Sequence, residues 1–166
     1  MTRRGTLAYY FAAIVVGCLF LVLGVTAIGE GSLRFSSQGM SDFFLLYFLA
    51  LVYGSFTMFL FAFLLRRAAR WLKWERAVVW IIVGAVLAPS VVWALYFIWD
   101  KLLSKWALVG PQVMWWMIFG GAIGVAEFAH SQLAATVSAG AVGAATALVL
   151  HRIHRAFEPR EEAKTS

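Results

Sequence analysis

Residues 66–76 read RRAARWLKWER, and this stretch decides the fold. Arg66, Arg67, Arg70, Lys73 and Arg76 crowd into it, with Glu75 the only acid. Uncharged apolar runs flank it, residues 43–65 before and 77–99 after. Lys and Arg beside a membrane span are retained on the cytoplasmic side, because carrying them through hydrocarbon is costly. The stretch therefore reads as a cytoplasmic loop between two spans and orients the rest of the chain.

Composition points the same way. The chain has 166 residues, 63% of them hydrophobic and 13% charged, with a mean hydropathy of +0.83. A soluble domain carries about a quarter charged residues. Too few charges are present to cover a water-facing surface, so lipid is the solvent for most of it. The net charge of +6 is concentrated at Arg3 and Arg4, in residues 66–76, and in the tail with Arg152 and Arg155. A basic chain can indicate nucleic acid. Clusters that abut apolar spans instead set topology and meet anionic headgroups. The expected partners are an anionic lipid bilayer and another membrane protein or a second copy of this chain, with no nucleic acid. The single cysteine, Cys18, excludes an intrachain disulfide and reads as a small packing residue.

Working outward, residues 7–28 form an uncharged run long enough to cross a ~30 Å core, with Tyr9 and Tyr10 near its basic end. The run is longer than the apolar region of a signal peptide and reads as a retained span. Residues 29–42 are a turn-rich, near-neutral connection suited to the far side. Residues 43–65 are rich in phenylalanine and read as lipid-facing and packing surface. Residues 77–99 contain Pro89, which removes a helical hydrogen bond and predicts a bend.

The region beyond Trp106 has two readings. Full crossings at both 106–126 and 131–150 give five spans and place Arg152 and Arg155 outside, against the charge rule. No Gly or Pro occurs between Val125 and Ala139, so that segment reads as continuous helix. The preferred reading is an all-α, four-span bundle with spans near 7–28, 43–65, 77–99 and 129–150. A short interfacial or re-entrant helix at about 111–119 and a bend at the glycines 120–124 precede the last span. Residues 1–157 then form one transmembrane domain, 158–166 a flexible cytoplasmic tail, and both termini lie inside a bacterial-type inner membrane.

In the last span, Ala135, Ala139, Gly143 and Ala147 recur at every fourth position. Such a small-residue face lets backbones approach closely, which supplies attraction where lipid offers no hydrophobic drive. It suits packing within the monomer or an oligomer seam.

Candidate chemistry is sparse. The first three runs hold no group that titrates near neutrality, whereas proton-coupled transport calls for an intramembrane charge. Glu127 and His130 share a helix face at i, i+3, a spacing used by di-metal carboxylate bundles. One such motif without further carboxylates reads as an interfacial polar pair. His151 and His154 also share a face and are weak candidates for a haem or metal ligand pair. His130 lies about 31 Å away along the same helix, so a second imidazole would have to come from elsewhere. Soluble catalytic motifs do not occur. The expectation is a non-enzymatic accessory, interaction or assembly subunit without a cofactor. A small transporter lined by Ser55, Thr57, Ser90, Gln112, Gln132, Thr136, Ser138 and Thr146 is one alternative, and a cofactor-binding protein using the C-terminal histidines another.

Overall fold

The computed structural model describes residues 3–29, 37–72, 76–103, 118–123, 125 and 132–157. All regular structure among them is helical: α1 (Arg3–Gly29), α2 (Ser37–Leu72), α3 (Ala77–Ile98), a π-helical turn (Trp99–Leu103) and α4 (Gln132–Ala156). A further helical piece covers residues 118–123. Four stretches are long and apolar enough to cross a bilayer: Gly5–Gly24, Phe43–Trp71, Ala77–Lys101 and Gln132–Ala156. The shortest has 20 residues, which at the helical rise spans about 30 Å, the thickness of a hydrocarbon core. The interfacial helix expected at 111–119 lies largely outside the described residues, as do the tail and Lys73.

Two boundaries differ from the sequence reading. The basic stretch is only in part a loop: α2 continues seven residues past Leu65 to Leu72 and carries Arg66, Arg67 and Arg70 on its last two turns. Arg, Ala and Leu are strong helix formers, and arginine stems can lie along apolar surface while the guanidinium reaches water, so nothing in RRAARWL stops the helix. Arg76 is extended (φ −86°, ψ 130°) and begins α3. The second concerns the bend expected at 120–124: Gly120 and Gly121 are helical, and Gly124 lies outside the described residues. Glycine weakens a helix by only about 1 kcal/mol, and here its lack of a side chain permits a close contact described below.

Neighbouring helices run antiparallel. Tyr9 of α1 donates a hydrogen bond to the Ala62 carbonyl of α2 at 3.4 Å, and Tyr47 of α2 donates to the Val15 carbonyl of α1 at 3.1 Å. Gly5, at the start of α1, lies against the Phe157 side chain just past α4. The first turns of α1 and α3 and the last turns of α2 and α4 thus share one end of the bundle. α1 packs on α2 and α4, and α3 packs on α4 and α2, which gives a square.

The core has three parts. Tyr9, Phe61, Leu65, Trp80 and Leu150 fill the basic end. Cys18, Met58 and Val142 occupy the middle of the α1 side. At the other end Val91, Val92 and Leu95 of α3 meet Ala135 and Ala139 of α4, with Phe119, Ala122, Ile123 and Val125 packed among them.

The α3–α4 crossing is the tightest. Ala135, Ala139, Gly143 and Ala147 are all buried on it. A Cβ built at Gly84 would stand 2.6 Å from the Gly143 carbonyl oxygen, and one built at Gly143 would collide with the Gly84 carbonyl and the Ala88 side chain. Backbone touches backbone here, so dispersion acts at the shortest possible range. Pro89 is accommodated on the same face. It leaves the Ala85 carbonyl without its usual helical donor. A Cβ at Gly140 would fall 3.1 Å from that oxygen, so the bare glycine backbone of α4 covers it.

Candidate functional site

Among the described residues two places stand out, a cluster of polar groups at the basic end and a small cavity at the centre. At the basic end, Arg66 Nη2–H donates to Thr6 Oγ1 at 3.0 Å. The guanidinium carbon lies 5.8 Å from the Tyr9 ring centroid and 5.6 Å from that of Tyr10. Cation–π contacts of this kind contribute about 0.5–2 kcal/mol each. Arg66 Nε is buried and has no hydrogen-bond partner among the described residues. The arginine is therefore held by rings and one hydroxyl, with its charge at the end of the core. Arg67, Arg70, Arg76, Arg152 and Arg155 are exposed around it.

His151 and His154 sit at the same end. Their rings pack on Trp80 of α3, with centroids 5.5 and 5.4 Å away. Trp80 is fully buried and His151 is 7% exposed. The i, i+3 spacing puts both imidazoles on one indole, so they act as packing surface between α3 and α4. Among the described residues no three His, Cys, Asp or Glu side chains come close enough to hold a metal ion. Glu127 and His130 lie outside those residues.

At the centre is a cavity of about 20 Å³. Every helix contributes to its wall, with Leu21 from α1, Met58 from α2, Val92 from α3 and Val142 from α4 among the apolar lining. Thr57 of α2 and Thr146 of α4 also line it, but the surface they present to it is apolar. They are 5% and 1% exposed, and neither oxygen has a hydrogen-bond partner among the described residues. Gly121 closes one side: a Cβ there would lie 2.8 Å from Gly54 Cα and 3.1 Å from Thr57 Oγ1. A side chain at 121 would thus push the helical piece 118–123 off α2.

The other polar residues considered as pathway lining are dispersed. Ser90 Oγ donates to the Val86 carbonyl at 2.8 Å and Ser138 Oγ to the Ala135 carbonyl at 3.0 Å. Thr136 Oγ1 donates to the Gln132 carbonyl at 2.7 Å and accepts from Trp93 Nε1 at 3.0 Å. Gln132 is exposed and Ser55 half-buried. Gln112 lies outside the described residues. Of the seven described, Thr57 and Thr146 alone line the central cavity.

Sequence reasoning missed Trp80 as the platform for the two histidines, Gly84 and Ala88 as the partners of Gly143, and the placing of Thr57 and Thr146 on one cavity. Gly84 and Ala88 form a small-xxx-small pair that was available as a signal. Comparison of the chain with protein-family models, with curated proteins and with solved structures finds no match.

Proposed function

We propose that this membrane protein crosses the bilayer four times and serves as a non-catalytic accessory, interaction or assembly subunit of a membrane complex. The neighbouring ends of α1 and α4, with Gly5 against Phe157, favour four crossings over five. By the charge rule the shared basic end, with both termini, faces the cytoplasm of a bacterial-type inner membrane. Arg66, Arg67, Arg70, Arg76, Arg152 and Arg155 then meet anionic headgroups. Such cations contribute about 1 kcal/mol each near a charged leaflet.

One observation carries the functional reading: among the described residues the α3–α4 crossing is closed by glycine–alanine contacts, and Ser90, Thr136 and Ser138 are spent on carbonyls of their own helices instead of lining a path. A permeation path calls for polar groups in sequence across the membrane. The cavity at Thr57 and Thr146 is the one feature that favours transport, and its ~20 Å³ accommodates about one water. For a cofactor on His151 and His154, both rings would first have to leave Trp80. Outside, α2 exposes Phe44, Phe48, Phe56 and Phe63, each 39% or more. Acyl chains or a second membrane protein can cover that ridge.

The test is co-purification in mild detergent, with identification of the bound chains. A stoichiometric membrane partner, or a defined homo-oligomer, supports the proposal. A monodisperse, partner-free protein that moves a solute after reconstitution overturns it.

A further inference from the structure

The last turns of α2 carry a stripe with a definite order. Phe59, Phe63, Arg66 and Arg70 fall at i, i+4, i+7 and i+11, so they follow one flank of the helix. Phe59 and Phe63 are 42% and 39% exposed, Arg70 is exposed and Arg66 is half-buried. The stripe is aromatic toward the bilayer middle and cationic toward the basic end. Phe59 lies two helical turns before Arg66, about 10 Å deeper in the membrane. A phospholipid has the same order, with acyl chains beneath a charged phosphate.

The stripe adjoins α1. Arg66 bonds Thr6, and Phe59 packs on Tyr10 with ring centroids 5.0 Å apart. Both contacts lie on the α1–α2 seam, so the two helices together present cation above and rings below.

Arg66 is also prepared for an anion. Its guanidinium is already held by the Tyr9 and Tyr10 rings and by Thr6 Oγ1. A mobile arginine loses rotamer freedom when it binds, whereas Arg66 has lost most of it on folding. Thr6 takes only one of its N–H donors. No Asp or Glu occurs among the described residues of this end, and the ion pair Lys101–Asp100 lies at the opposite one. A half-buried cation without a counter-ion is unfavourable where the dielectric is low, and an anion at the same depth relieves it.

We infer that Arg66 and Arg70, with Tyr10, Phe59 and Phe63 beneath them, form a binding site for one anionic phospholipid on the α1–α2 seam. The phosphate sits on the two guanidinium groups, and an acyl chain runs along the rings. The site rests on the headgroup contact proposed above and adds selectivity to it: the other arginines of this end meet the leaflet diffusely, and this pair holds an individual lipid.

The experiment is native mass spectrometry of the full chain in detergent, titrated with dioleoyl phosphatidylglycerol, dioleoyl phosphatidylcholine or inorganic phosphate. The wild type should retain one phosphatidylglycerol per chain, about ten-fold more tightly than phosphatidylcholine, and no inorganic phosphate. Arg66→Gln should weaken phosphatidylglycerol about ten-fold and Arg70→Gln about five-fold. Arg66→Lys keeps the charge but loses the planar fork and the ring contacts, and should weaken it about three-fold. Arg76→Gln, on α3 diagonally across the square from α1, should stay within about two-fold of the wild type. Arg70 and Arg76 are exposed, so that comparison does not depend on the folding of an Arg66 variant.

Equal losses at positions 66, 70 and 76 mean diffuse attraction to the leaflet: the site falls and the headgroup contact stands. Equal retention of the two lipids, or retention of neither, removes both. Inorganic phosphate retained as tightly as phosphatidylglycerol means that the rings hold no acyl chain, which overturns the lipid as occupant.

Discussion

Gly143→Ala tests the helix crossing on which the bundle depends. The added methyl is fixed to the backbone and has no rotamer by which to escape. It would meet the Gly84 carbonyl oxygen and the Ala88 Cβ, both of them also rigid parts of α3. The reciprocal contact gives the scale: a Cβ at Gly84 would lie 2.5 Å from the Ala147 Cβ, whereas ordinary contacts begin at 3.4 Å. The helices must therefore separate by about 1 Å at the crossing. Separation forfeits a quarter or more of the dispersion energy at each contact along the seam and opens the Gly140–Ala85 contact beside it. Overpacking of this kind costs about 1–3 kcal/mol, so about 2 kcal/mol is expected, or a fall of about 6 °C in the unfolding midpoint. Gly84→Ala should cost a similar amount. The double variant should cost clearly less than the sum, because helices already parted accommodate the second methyl. Ala141→Leu is the control: residue 141 is exposed, and a change within about 0.5 kcal/mol is expected. The assay is thermal or denaturant unfolding in a mild detergent. A Gly143→Ala protein as stable as the wild type would refute the backbone-contact reasoning.

Other outcomes follow from single contacts. Gly121→Ala should destabilise the protein by about 1–3 kcal/mol by driving the helical piece 118–123 away from Gly54, measured by the same unfolding assay. Trp93→Phe removes the indole donor to Thr136 while keeping most of the ring, and a loss of about 1 kcal/mol is expected. Cys18 is fully buried, with its Sγ 3.2 Å from the Ala50 carbonyl. As the single cysteine of the chain it should resist maleimide in the folded protein and label at the rate of unfolding, a time course that mass spectrometry can follow.

Much of this architecture was legible because lipid imposes a strong rule: spanning segments must satisfy their own backbone, so apolar length translates into helices. Residues 77–99 and Ala77–Lys101 nearly coincide for that reason. The extent of α2 was harder to read, since hydropathy ends at Leu65 while helix propensity carries on through Arg66, Ala68, Ala69 and Leu72. The small-residue face of α4 was visible as a period of four, but its counterpart was not. Which residues of α3 stand opposite Gly143 depends on the crossing register, a non-local quantity. The same limit hid Thr57 and Thr146, which are 89 positions apart in sequence and line one cavity. Trp80 is a buried platform for His151 and His154, a role set by the packing of α3 on α4 and not by any local pattern.

The account rests on the basic end and both chain ends facing one side of a bilayer. Single cysteines at Arg76→Cys and Ser41→Cys in a Cys18→Ser background, with a tag after Ser166, test this in intact cells using an impermeant thiol reagent and an external protease. Labelling at position 41, with protection of position 76 and of the tag until the membrane is opened, is the expected result. Accessibility of the tag together with protection of position 76 would contradict it.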